Sequence, residues 1–174
     1  MIISIDKLRK LISTTEHDLT LEFKLQALET LIREYTNNNF QNTHVRAKTA
    51  LKTAGITATV EGLKTGDTIQ ISQSCYNNGL YTIVELEPGL IKLDKELTEE
   101  PQALITKVEY PADVVHGTVN LLKWELSNRD KVGIQSESIS RHSVNYFNMD
   151  GDNSVMGYPK SLMGFLTPYK KARF

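Results

Sequence analysis

The sequence predicts an α+β protein: a small helical bundle with an inserted small five-stranded β-barrel, SH3-like in scale, and a C-terminal arm. Three observations predict it. Apolar residues recur at helical spacing over 21–35 and again over 115–126. Between those stretches, from Gly55 to Val108, the period falls to two, and turn-forming dipeptides punctuate it. After Gln135 the chain turns polar and serine-rich. Period-two text bracketed by two helical stretches reads as a β module set into a helical body, so the body is assigned to 1–51 and 110–174 and the module to 52–109.

The elements follow in order. Ser4 stands where a helix cap is wanted, and Leu8, Leu11 and Ile12 then share one face. Ser13-Thr14-Thr15 interrupts, because these side chains compete for backbone hydrogen bonds. Leu21, Leu25, Leu28, Ile32 and Tyr35 are spaced by alternating fours and threes, which makes a single stripe on a helix over about 17–37. Asn37-Asn38-Asn39 ends it, since Asn tolerates the left-handed conformation at a helix terminus. Strands are expected over Thr57–Val60, Asp67–Ser72, Leu80–Leu86, Leu90–Asp94 and Leu104–Val108. Asn78-Gly79 and Pro88-Gly89 supply turns, because Asn and Gly accept positive φ. Pro111 is placed as a first helical residue, with Val115, Val119, Leu122 and Leu126 as the stripe and Lys131-Val132-Gly133 as the stop. Gln135–Tyr146 is a polar, weakly alternating arm, and Phe147–Val155 is a loop. Gly157-Tyr158-Pro159 opens a last short helix that Pro168 should end.

Composition narrows the function classes. At 174 residues the chain has room for about one domain and a small module. Cys75 is the single cysteine, so neither an intrachain disulfide nor a multi-cysteine zinc site can form. A formal net charge of −1 gives no general attraction for phosphate. No apolar run approaches the roughly 18 residues of a membrane helix. Met1–Asp6 lacks the basic and apolar regions of a secretory signal, so a cytoplasmic site of synthesis is expected.

No motif points to catalysis, a metal or a cofactor. His17, His44, His116 and His142 show no metal-ligand spacing. Asp150-Gly151-Asp152-Asn153 places its glycine wrongly for a calcium loop and lacks the bidentate Glu. Asp94, Glu96, Glu99 and Glu100 form an acidic run; a metal-dependent nuclease would need such a set, and a solvated loop explains it equally. Ser136, Ser138 and Ser140 lack a nucleophile elbow. Cys75 has no basic sequence neighbour to activate it. A small barrel invites a nucleic-acid reading, in which the chain acts in DNA packaging. Five lysines against eight carboxylates between Lys52 and Val108 make it a poor phosphate binder.

Two motifs carry a resemblance. Ser136-Glu137-Ser138-Ile139-Ser140-Arg141-His142-Ser143-Val144-Asn145-Tyr146 resembles a segment of the head–tail connector (adaptor) proteins of long-tailed bacteriophages. Gly157-Tyr158-Pro159-Lys160-Ser161-Leu162-Met163-Gly164-Phe165-Leu166-Thr167-Pro168-Tyr169 is similar to the ending of those from Gram-positive hosts. The resemblance covers roughly 1–50 and 110–174 and departs from the family at the β module. It implies a non-enzymatic virion protein of the neck, made in the bacterial cytoplasm. Such proteins form a homo-oligomeric ring, usually of twelve, beneath the portal protein. The ring meets the next head-completion or tail protein and extends a channel through which DNA passes without specific binding. No membrane is involved. The residues it marks for ring and portal contacts are Ser136, Glu137, Ser138, Ile139, Arg141, Val144 and Tyr146 in the arm, with Tyr158, Pro159, Leu162, Phe165, Leu166 and Tyr169 in the C-terminal segment. For Leu162, Phe165 and Leu166, closure of the chain's own core is the open alternative.

Overall fold

The computed structural model describes residues 1–129 and 152–173, together with the backbone of Ser136–Ile139 and His142–Asn145. The chain forms two compact units. One joins Met1–Asn38 to Pro111–Phe174, and the other is Asn39–Tyr110.

The first unit is built on helices α1 (Ile5–Arg9), α2 (Asp18–Thr36) and α3 (Ala112–Asn128). α1 is shorter than its apolar spacing predicts: Ser4 takes the cap position without a side-chain cap bond, and Leu11 lies beyond the helix and is exposed. Arg9 then ties down the connection to α2, donating to the Thr14 carbonyl at 2.8 Å and to the Asp18 carboxylate at 2.6 Å. α2 buries Leu21, Leu25, Leu28 and Ile32 of the stripe its spacing predicts, leaves the fifth member, Tyr35, half-buried, and ends on Asn37 in the left-handed region at φ 48°. α3 buries Val114, Val119, Leu121 and Leu122. Pro111 precedes its first residue instead of being that residue; its extended ψ of 152° keeps it outside the helix. The expected stop at Lys131-Val132-Gly133 lies outside the described residues.

After α3, strands β7 (Ser136–Ile139) and β8 (His142–Asn145) pair antiparallel, as do β9 (Ser154–Val155) and β10 (Tyr158–Pro159). Met156 and Gly157, both at positive φ, make the tight turn between β9 and β10. The expected last helix therefore opens at Lys160, after this turn, and runs as a 3₁₀ helix to Tyr169 with Pro168 inside it.

The second unit is a closed antiparallel barrel of six strands, not five. They are β1 (Gln41–Lys52), β2 (Gly55–Ile56), β3 (Thr68–Ser72), β4 (Gly79–Glu87), β5 (Leu90–Leu93) and β6 (Glu100–Val108), in the order β1-β2-β5-β4-β3-β6 with β6 closing on β1. The additional strand is β1, in a stretch assigned from sequence to the helical body. The barrel unit thus begins at Asn39 and not at 52. β1 is a strand because β6 pairs with it from Gln41↔Val108 to Leu51↔Glu100. Its polar sequence has little propensity of its own. The strand expected over Thr57–Val60 does not form; the short β2 precedes it. Gly55 makes β2 possible: at φ 138° its α-carbon lies so close to the Ile91 carbonyl that any side chain would collide. The core holds Leu51, Ile56, Ile69, Ile71, Ile83, Ile91, Leu97, Ala103 and Ile105. Each of the Leu and Ile side chains contributes about 1.5–3 kcal/mol on burial, and together they hold the barrel closed.

Candidate interaction interface

The C-terminal segment lies along α3 in the opposite direction. Tyr158 meets Glu125, Phe165 meets Gly117, and Tyr169 meets Asp113, so three positions of the segment descend α3 from its end to its start. Tyr158 is 4% exposed and Leu166 fully buried, and Pro159 is buried with them. Leu162, Phe165 and Tyr169 are half-buried, while Ser161, Gly164 and Thr167 face solvent. Tyr158, Pro159, Met163 and Leu166 of the second motif are thus spent on the helical unit's own core, whereas Leu162 and Phe165 keep part of their surface. For Tyr158, Pro159 and Leu166 no free surface is left for a partner.

A polar network locks the upper end. Glu125 accepts from Lys24 at 3.3 Å, from Arg129 at 3.2 Å and from the Tyr158 hydroxyl. Arg129 also donates to the Gly157 carbonyl at 3.2 Å and lies over the rings of Trp124 and Tyr158. Burial pushes the Glu125 pKa up, but the bonds from Tyr158, Arg129 and Lys24 outweigh it and hold the carboxyl below the usual range. Burial, then the bond to Glu125, pushes the Tyr158 phenol well above its ordinary value. The arrangement fixes α2, α3 and the turn before β10 to one another.

The arm is different. In β7 and β8, Ser136 stands opposite Asn145, Glu137 opposite Val144, Ser138 opposite Ser143 and Ile139 opposite His142. Among the described residues these strands pair only with each other. Arg141 and Tyr146 lie outside the described residues.

The acidic run divides among separate tasks. Asp94 accepts from the Thr82 amide at 2.9 Å, Glu99 pairs with Lys52 at 3.5 Å, and Glu100 turns inward. Glu100 accepts from Ser74 Oγ at 2.8 Å, the Cys75 amide at 3.1 Å, the Tyr76 amide at 2.8 Å and Asn77 Nδ2 at 3.0 Å. Desolvation pushes its pKa up, yet these four bonds prevail and hold it below the carboxylate range. Glu100 is the anchor of the β3–β4 connection, a role no spacing in the sequence reveals. Its donors are ordinary turn residues, twenty-odd positions away. Among the described residues, no three His, Cys, Asp or Glu side chains gather as a cation site. No described helix is long and apolar enough to cross a membrane.

No protein-family model matches the chain, and no curated protein matches it.

Proposed function

We propose that this chain is a virion structural protein of tailed phages: a head–tail connector whose subunits form a ring, twelve in the particle, beneath the portal protein. The ring joins head to tail and extends the DNA channel. The observation that carries this reading is the β7–β8 hairpin, which falls on the first of the two ordered motifs and has no third strand among the described residues. A lone two-stranded hairpin is marginal in water. Its outer edges carry backbone donors and acceptors suited to adding a strand from a neighbouring subunit or from the portal. The second motif has the complementary role of closing the helical unit that bears the hairpin. A net charge of −1 suits a wall that DNA slides past without adhering.

The test is electron microscopy of lysates from a phage carrying this gene, compared with the same phage after its deletion. DNA-filled or leaking heads beside separate, complete tails are expected. Joined particles of normal appearance, or heads left empty because packaging never began, would overturn the reading.

A further inference from the structure

Both chain connections to the barrel unit lie within reach of one short C-terminal stretch. The first follows Asn38 and the second precedes Pro111. Tyr169 touches both sides: its hydroxyl donates to the Asp113 carboxylate at 2.8 Å, and its carbonyl accepts from Asn38 Nδ2 at 3.2 Å. Beyond it the Lys171 amide donates to the Thr36 carbonyl at 2.8 Å, the Ala172 carbonyl accepts from Asn37 Nδ2 at 2.8 Å, and Arg173 donates to the Glu34 carbonyl at 2.9 Å. The Lys170 ammonium lies 3.9 Å from the centre of the Tyr35 ring. The last carbonyls of any helix lack partners within it and carry partial negative charge. Here the stretch supplies both donors and cations to the end of α2.

We propose that Tyr169–Arg173 is a releasable clasp. It fastens the end of α2 to the start of α3 and so sets how firmly both connections to the barrel are held. The fastening is made by polar bonds at exposed residues, Lys170 to Arg173, and not by buried apolar surface. Water can replace such bonds at little net cost, whereas it cannot replace the contacts of Leu166 or Met163. A partner that takes up this stretch frees both connections together. The inference does not depend on the connector reading.

Amide hydrogen exchange on the full chain tests it. One variant combines Asn37→Gly with Tyr169→Phe: glycine keeps the left-handed backbone at 37, and phenylalanine keeps the ring at 169. A second lacks residues 170–174. In both, protection of the amides at 34–40 and of the Val115 amide, which donates to the Pro111 carbonyl at 3.0 Å, should fall about tenfold or more, while those around Leu121 and Leu122 in α3 and Ile71 and Ile105 in the barrel keep theirs. If the shortened chain does not fold, the double variant decides. Native protection at the junctions would overturn the proposal. So would a uniform fall through α3 and the barrel, which would make the stretch an ordinary part of the core.

Discussion

The ring of Phe165 occupies the space that Gly117 leaves on the face of α3; a β-carbon at 117 would collide with three of its ring atoms. A glycine inside a helix is otherwise a weakness, costing roughly 0.5–1 kcal/mol relative to alanine. Here it permits the close approach that seats the C-terminal segment on α3.

Gly117→Ala should therefore destabilise the protein by about 1–3 kcal/mol, against its gain in helix propensity. Phe165→Leu in the same chain should recover part of that loss by clearing the space. Urea unfolding midpoints at unchanged slope are the measurement. A raised midpoint in the alanine variant would mean that the ring does not rest there.

Glu100 makes the barrel sensitive to acid. Its folded pKa lies below the ordinary carboxylate range because its four hydrogen bonds outweigh desolvation, whereas an unfolded glutamate titrates at about 4.3. Its stabilisation is complete above the unfolded value and is lost as the pH falls through the lower folded one. Glu100→Gln should lower the melting temperature at pH 7 and reduce the fall in melting temperature between neutral and acid pH. It should also speed exchange at the Cys75 and Tyr76 amides. An unaltered pH profile would remove Glu100 from that role.

Tyr158 has the opposite sign. Burial and the bond to Glu125 raise its folded pKa above that of an unfolded tyrosine. Its contribution is present in full below about pH 10, the unfolded value, and is lost as the pH climbs toward the higher folded one. Ultraviolet difference titration should show that the phenol most resistant to ionisation is absent in Tyr158→Phe. Losing a hydrogen bond to a charged partner should cost that variant about 1.5–3 kcal/mol.

The arm offers a test of assembly that leaves folding intact. Ser138→Pro removes a backbone donor from β7, and proline cannot take part in a central ladder. Far-ultraviolet circular dichroism and the melting temperature should stay close to wild type, while rings on purified portal should fail to form. Normal rings from this variant would show that the arm is not the contact.

Much of the helical unit is legible in the chain. The stripe of Leu21, Leu25, Leu28 and Ile32 specifies α2, because a helix must bury that face whatever it meets. Asn37 specifies its end through a local backbone preference, and Gly89, at φ 79°, marks the β4–β5 hairpin in the same local way; Gly79, expected as a turn residue, instead begins β4 opposite Ile71, and Gln73 takes the positive φ in that connection. Such features depend on neighbours a few residues apart, so sequence alone determines them.

Tertiary structure decided the rest. β1 reads as Asn-Thr-His-Val-Arg-Ala-Lys-Thr, weakly apolar and without a turn to frame it, and becomes a strand because β6 offers it a ladder. Thr57–Val60 alternates better and forms no strand: Thr57 still bonds to β1, its amide donating to the Ala50 carbonyl at 3.3 Å, but the ladder is not carried on to Val60. Glu100 looks like one acid among four until folding brings the donors of 74–77 around it. Whether Phe165 could pack against its own helical unit depended on whether α3 had room for its ring, and Gly117 provides that room. Periodicity and turn chemistry are short-range properties written along the chain. Strand pairing, carboxylate partners and the choice between core and surface arise from residues far apart in sequence, and only the folded chain brings them together.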